Sequence, residues 1–477
     1  MMKTDRTYKN IDSGLHISVI ILIFSITDVS YQQQPASLDN EEGSCIDYDA
    51  AENTIAIDCD ASFLDVVQSI NDPGILEELE EEEEGSQYLL KANLEVDDGV
   101  TFSMTPGDGL QYLKIADANG IIVYGKIQIA GVKITSWDTE TNSPIFQTIT
   151  GSIPRAFINL RGSEGGSIQD SEISHLGYSG SGRRGFDLFG DGPSHDLEIR
   201  GSEFHNMWFA FFSNRAYNIV VDGNEYHHNI KYALDPHTGT YNMNITNNWL
   251  HHNPIGAICS LNCYNILVEG NVIHHNSDYG IFFSRNMHNS IARNNQIYNV
   301  TNGIMVSESP NNQIYNNTIE EATSQGIRLL NPDVTDDGVT EGNIVYNNVI
   351  SSSEDGIAAA RSQNNIVENT TFSDIESSEY HLSGNSALTI RGQQFDDALV
   401  SGEAEEEDDQ ATEDQATENV VEIVGSGTIE VTGGANDGEE DGDDDGDEDE
   451  DEANSFNTDV EPYTTILGDG DSITVNS

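Results

Sequence analysis

Through the middle of the chain, short apolar runs rich in β-branched residues alternate with polar corners rich in Asn and Gly. The runs are too short for amphipathic helices and have the texture of strands joined by tight turns. Three segments set a common register: Ile219-Val220-Val221-Asp222-Gly223-Asn224, Ile245-Thr246-Asn247-Asn248 and Ile266-Leu267-Val268-Glu269-Gly270-Asn271. Ile291–Asn295, Ile314–Asn317, Ile344–Asn348 and Ile366–Asn369 continue it. The closing Asn recurs at 224, 248, 271, 295, 317, 348 and 369, in steps of 24, 23, 24, 22, 31 and 21 residues.

This period predicts an all-β fold, a right-handed parallel β-helix whose coils each hold three short strands. Coils of that kind stack about 4.8 Å apart, so equivalent side chains form ladders. Asn suits the corners because it tolerates left-handed backbone angles and its amide can bond adjacent turns. The 31-residue step marks an insertion, placed at Asn331–Thr340. A leucine-rich repeat has a similar period but needs a lattice of Leu that is absent here.

Tyr88–Val96 and Ile121–Ile129 read as strands, so the helix is expected to span 88–372, with its C-terminal end in 373–400. Before it, 31–87 is an acidic segment ending in Glu80–Glu84, read as a solvated loop or short helix. After it, 401–477 is an acidic low-complexity tail with strand-like patches at Val420–Val424 and Thr428–Val431; disorder is the expectation. Calcium loading of Asp437–Glu452 is conceivable, but no EF-hand spacing supports it. No other cofactor is called for.

Charge narrows the partners. The 83 acidic residues against 19 Lys and Arg give −64, and −36 remains on the first 400 residues when the tail is set aside. Such a chain repels phosphate backbones, which argues against nucleic acid. Lys3, Arg6 and Lys9 precede an apolar run, Ile17–Ile26, too short to span a bilayer as a helix. Residues 1–30 therefore read as a signal peptide, or alternatively an uncleaved anchor, and the protein is expected to be secreted or at the cell surface. Cys45, Cys59, Cys259 and Cys263 fit an oxidising compartment, with two local bridges the simplest pairing and no His spacing to complete a zinc site.

One coil breaks the grammar of the repeat. Its successors read Ile255-Gly256-Ala257-Ile258 and Tyr279-Gly280-Ile281-Phe282, whereas this one reads Lys231-Tyr232-Ala233-Leu234-Asp235-Pro236-His237-Thr238. Aligning Ala233 with Gly256 and Gly280 puts His237 in line with Ser260 and Ser284. Pro lacks the N–H that a ladder uses, so a Pro inside an ordered array points to function. Tyr232 and His237 supply two proton-transfer groups, and Asp235 a carboxylate to orient them.

Tyr232-x-x-Asp235-Pro236-His237 within such repeats resembles the catalytic strand of the mannuronan C5-epimerases, periplasmic type. The likeness extends to Tyr124–Ile127, Gly131–Asp138, Ser174–Tyr178, Asn229–His237, Gly280–Asn286, Gly303-Ile304 and Glu308-Ser309. It covers roughly Tyr88 to Phe372. The resemblance implies C5-epimerisation of an acidic, alginate-like polysaccharide: a base takes the C5 proton from one face and an acid returns one on the other. By the same resemblance His237 is the base and Tyr232 acts across the ring, held by Asp235, although either of the two can play either part.

Proton removal beside a carboxylate builds a dianionic enolate, so a cation must neutralise it. The family carries Arg for this one coil after the motif, in Gly-Ile-Ile-x-Ser-Arg. Here that stretch is Gly256-Ala257-Ile258-Cys259-Ser260-Leu261, and Ile255 stands where the family has His. Arg285, in the matching Gly280–Arg285 stretch, Arg215 and Lys231 are the candidate replacements.

The pairs His227-His228, His251-His252 and His274-His275 recur with the coil and read as structural or groove-lining, with no metal assigned. Trp208, Phe209, Phe211 and Phe212 read as core stacks, with Trp208 and Tyr178 alternatively lining a groove, since amphipathic rings stack on sugar faces. Two other functions stay open: a polysaccharide lyase on the same scaffold, and a non-catalytic carbohydrate-binding protein of the cell surface or envelope. A monomer is expected.

Overall fold

The computed structural model describes residues 44–79, 86–190, 192–330, 342–384, 386–403, 420–433, 456–459, 464–467 and 471–476. The export segment, Glu80–Glu84, the proposed Asn331–Thr340 insertion, the acidic run Asp437–Glu452 and most of the rest of the tail lie outside these described residues.

From Thr54 onward most strands stack in parallel as a three-sided solenoid, with antiparallel additions such as Leu76–Leu79 on Gln87–Leu90. A typical coil runs Tyr232–His237, Tyr241–Thr246 and Trp249–His251, and the next runs Ile255–Ser260, Tyr264–Glu269 and Val272–His274. Each strand pairs with its equivalent one coil away. Inward positions of all three sides make one continuous core, from Ile55 and Phe102 through Phe211, Leu234 and Ile281 to Ile357 and Leu388. Burying that single stripe along every strand is the main favourable term for a chain so rich in charge.

Strands begin before the expected start. Ile46–Asp49 and Thr54–Ile57 form an antiparallel pair, and the second of them stacks in parallel on Asn93–Val96. The helix Phe63–Ile70 follows, opened by a capping box between Ser62 and Asp65, and Phe63 packs its ring on Tyr88 5.0 Å away. Cys45 and Cys59 are bonded across this hairpin. The expected second bridge is not formed. Cys259 and Cys263 are free and buried, Cys259 in the core and Cys263 with its Sγ 3.1 Å from the Ser260 carbonyl.

The corners divide between two residues the work assigned to one Asn. Gly223, Asn247, Gly270, Asn294, Asn316 and Asn347 take the left-handed backbone, with φ from 54° to 68°. The residue after each turns inward. There Asn224, Asn248, Asn271, Asn295, Asn317 and Asn348 build a buried ladder. Each backbone N–H and each amide Nδ2 donates to the Oδ1 of the next Asn at 2.9–3.1 Å. In a dry interior such polar atoms must be paired, and the ladder pairs them rung by rung. Asn369 is not its next rung. Val349 pairs with Thr371, so Thr370 takes the inward place and Asn369 the left-handed one.

Candidate functional site

The site is made by a bulge. Gly185 pairs with Phe209 but Asp187 with Phe212, so the Phe209–Asn214 strand holds one extra residue. Two consecutive residues, Ala210 and Phe211, then face the core, while Phe209 and Phe212 face out. A bulge of this kind re-aims side chains, and the coils that follow inherit it. On the next coil Ala233 and Leu234 turn inward, leaving Tyr232, Asp235 and His237 outside the core. The inward position is crowded, since a Cβ on Gly256 would lie 2.7 Å from the Gly280 carbonyl and 2.9 Å from Ile273. Small residues recur there for that reason.

His237 pairs with Ser260, and Ser260 with Ser284, which is the alignment read from the sequence. Asp235 pairs with Phe212, and Phe212 with Asp187. The outward row therefore reads Asn159, Asp187, Phe212, Asp235, and passes to Ile258, Phe282 and Met305 on later coils. Facing out does not mean exposed: Asn159, Asp187 and Asp235 are 1%, 0% and 3% accessible.

The cover is a pair of loops. Residues 178–184 fold over the row, with Tyr178 N–H bonded to the Arg183 carbonyl, Ser179 N–H to that of Gly151, and Arg183 Nη1 to the Tyr178 hydroxyl. Residues 145–155 back them. Arg155, fully buried, donates to the carbonyls of Ile145, Leu176, Gly177 and Asn206 and so ties this loop to two coils. Between loop and sheet lies a cavity of about 410 Å³ lined by Ser179, Gly180, Ser181, Arg184, Trp208, Phe209, Lys231 and Tyr232. Trp208, Phe209 and Phe212 are thus not core stacks, and Phe211 alone of the four is. The loop covers these aromatics closely, and a Cβ on Gly151 would meet the Trp208 ring at 2.6 Å.

Tyr232 and His237 stand at opposite ends of one strand, about 16 Å apart at Cα by strand rise. Phe209 packs edge-on against Tyr232 at 5.1 Å, and Phe212 against His237 at 5.5 Å. His237 Nδ1 is 2.6 Å from Thr238 Oγ1. That contact orients the ring and leaves Nε2 for other work. No hydrogen bond joins Asp235 to His237 or Tyr232, and Asp235 Oδ1 is buried without a partner.

Electrostatics follow from this cover. Burial, with the nearby Arg184 and Arg285 cations, holds His237 below the ordinary imidazole range, so it is neutral and can accept a proton near pH 7. Burial pushes Asp235 well up, Asp187 adding to this and Arg184 opposing it. Burial takes Asp187 to about 7. Tyr232 is raised by burial and by Asp235 and Asp278, against Arg285.

The candidate cations are spread out. Lys231 lines the cavity, its Nζ 5.1 Å from the Trp208 ring centre. Arg285 is exposed at the corner two coils on, in the row of left-handed corner residues that also holds Arg215, Thr238 and Leu261. Arg215, one coil before the motif, bonds its Nε to Asn214. Arg184 was not singled out from sequence. Its guanidinium lies 4.0 Å from the Phe212 ring centre and 5.2 Å from that of Phe189, with Nη1 3.8 Å from Asp187 Oδ1. Only a periodic motif is visible without the fold, and Arg184 sits in a loop outside the period.

The histidine pairs form stacks on another side of the solenoid. His205, His227, His251 and His274 lie face to face at 5.0–5.1 Å, and His228, His252 and His275 at 4.9–5.2 Å. His205, His227 and His251 meet Glu172, Glu203 and Glu225 beside a cavity of about 520 Å³. Among the described residues no three His, Cys, Asp or Glu side chains converge as metal ligands.

Fold and site together define the class. The family described as the right handed beta helix region matches residues 119–291, 238–335 and 293–436, and the chain belongs to it. Within that family the chain is similar to the mannuronan C5-epimerases of Pseudomonas putida, at 26% identity over 239 residues, and of Pseudomonas syringae, at 28% over 221. These alignments cover 46% and 43% of this chain and 45% and 41% of the relatives, so the chain spans less than half the length of the curated relatives it matches. The crystal structure of the periplasmic alginate epimerase AlgG superposes with a TM-score of 0.56 at 21% identity, over 78% of each chain, and shares the fold.

Proposed function

We propose that this protein is a C5-epimerase of a uronate polymer of the alginate kind, acting outside the cytoplasm. One observation carries the reading: Tyr232, Asp235 and His237 face outward together on a strand beside a covered, cation-bearing cavity. The similarity to mannuronan C5-epimerases supports the same chemistry.

In this mechanism His237 accepts the C5 proton. The electron pair left behind spreads into the adjacent carboxylate, and Tyr232 returns a proton on the opposite face. Asp235, opposite Phe212 in the register and with its carboxyl pushed well up by burial, shapes the strand between them. Arg285, Arg215 and Lys231 surround the strand as cations that draw in a polyanion. A lyase on this scaffold would share the first step and then expel the 4-linked sugar.

Proton NMR of poly-uronates incubated with the protein in deuterated water tests the reading. Deuterium at C5 with inverted configuration is expected, without the absorbance of an unsaturated uronate. Polymers that bind but never exchange would make the protein a carbohydrate-binding rod.

A further inference from the structure

Leu261 leaves the coil after the motif without the arginine that neutralises the substrate carboxylate in the family it resembles. Arg184 comes to the motif from elsewhere, on the loop that covers the row, and lines the cavity at its Tyr232 end. It lines the cavity with Lys231 and Tyr232, and no Asp or Glu lines it with them. On a chain of net charge −64, a pocket lined by cations and aromatic rings is a marked local reversal.

The arginine is held rigidly. Phe189 and Phe212 face its guanidinium at 5.2 and 4.0 Å, and its side chain keeps only 20% of its accessibility. Phe212 is also the register partner of Asp235 and touches the His237 ring, so the guanidinium sits one ring away from the motif. Nη1 is buried with no hydrogen-bond partner among the described residues. Asp187 Oδ1 lies 3.8 Å from Nη1, at ion-pair and not hydrogen-bond distance, while Asp187 Oδ2 accepts from the Arg184 backbone N–H at 2.6 Å. Burial takes that carboxyl to about 7, so near neutral pH it cancels the arginine's charge only in part.

We propose that Arg184 is a catalytic residue that pairs with the substrate carboxylate and stabilises the enolate, in place of the arginine lost at Leu261. The inference rests on the epimerase reading above. The C5–H bond breaks and its proton passes to His237, while the electron pair moves into the C5–C6 bond and onto the carboxylate oxygens. The planar guanidinium meets both oxygens as the second negative charge develops. The same pair then forms a new C5–H bond with a proton delivered on the other face, so nothing is oxidised or reduced.

The test is C5 deuterium exchange on poly-mannuronate, with polymer binding and melting temperature measured alongside. Arg184→Met combined with Asp187→Asn keeps the buried pair neutral. It should lower the exchange rate by about 10²–10³-fold, the size of effect seen when one donor to a developing oxyanion is removed, with a much smaller loss of binding. Arg184→Lys keeps the charge but not the fork, and controls for folding; it should retain the melting temperature and regain part of the rate. Added guanidinium ion should partly rescue Arg184→Met/Asp187→Asn. Exchange at the wild-type rate in both variants, or loss of exchange in Arg285→Ala alone, overturns the assignment to Arg184 and leaves the epimerase reading standing. A wild-type protein that never exchanges deuterium removes the reading and the inference together.

Discussion

Two rows of polar side chains run along this solenoid, and they differ in how their atoms are satisfied. In the histidine stacks, His227 and His251 meet Glu203 and Glu225 at 2.8 and 3.0 Å, and Trp249 Nε1 donates to His274 Nε2 at 2.6 Å. His227, His251 and His274 also share a proton with His228, His252 and His275, Nδ1 to Nδ1, at 2.7–2.8 Å, and His205 Nδ1 meets Asn206 Oδ1 at 2.8 Å. Along the outward row beneath the loops, Asn159 Nδ2, Asp187 Oδ1 and Asp235 Oδ1 are buried without a hydrogen-bond partner among the described residues, and so is Arg184 Nη1, which faces Asp187 Oδ1 only at ion-pair distance, 3.8 Å. A buried polar atom left unpaired costs about 1–3 kcal/mol. A regular array that satisfies itself is architecture, and a row that tolerates that cost is where a ligand's polar groups belong.

The sharpest way to break this contrast is His237→Gln. Loss of an acid/base group costs on the order of 10²–10⁴ in rate, so C5 exchange should all but vanish while the melting temperature barely moves. A large drop in melting temperature instead would place His237 with the architecture. Because burial and the nearby arginines lower His237, the acid limb of kcat/KM should fall below the usual imidazole range of about 6.5. A limb at or above that value would mean that the titrating group is not this ring.

Architecture should answer in the opposite way. Asn248→Ala removes the acceptor for Asn224 N–H and Nδ2 and the donor to the Val221 carbonyl. It should cost about 2–4 kcal/mol in denaturant unfolding. Residual activity per folded molecule should stay near wild type.

Smaller again is the effect of acid on the stacks. Burial, and then repulsion from neighbouring imidazoles, lowers His228, His252 and His274, the last to about 4; in His251 burial outweighs the raising bond from Glu225. The unfolded chain takes up these protons near pH 6.5 and the folded one only lower. Stability should therefore be full above about pH 6.5 and decline toward pH 4. His274→Gln should flatten that decline, seen as melting temperature against pH, and an unchanged slope would assign acid sensitivity elsewhere.

Much of this was written in the period of the chain. The Asn register, the three short strands per coil and the alignment of His237 with Ser260 and Ser284 follow from spacing, because each coil bonds chiefly to its two neighbours and repeats their pattern. Such nearest-neighbour order is legible in one dimension. The two-residue division of labour at the corners was half visible, which is why Asn369 read as a rung that Thr370 fills.

What only the tertiary structure decided lies off the period. The bulge at Phe209–Phe212, the burial of Asp235 beneath a loop, the free thiols of Cys259 and Cys263, and the approach of Arg184 to the motif were not spaced into the repeat. Arg184 precedes Tyr232 by 48 residues, yet it shares a cavity with it because Arg155 pins the covering loops onto two coils. A contact made by folding a loop across stacked coils is set by packing and burial, and no repeat in the sequence encodes it.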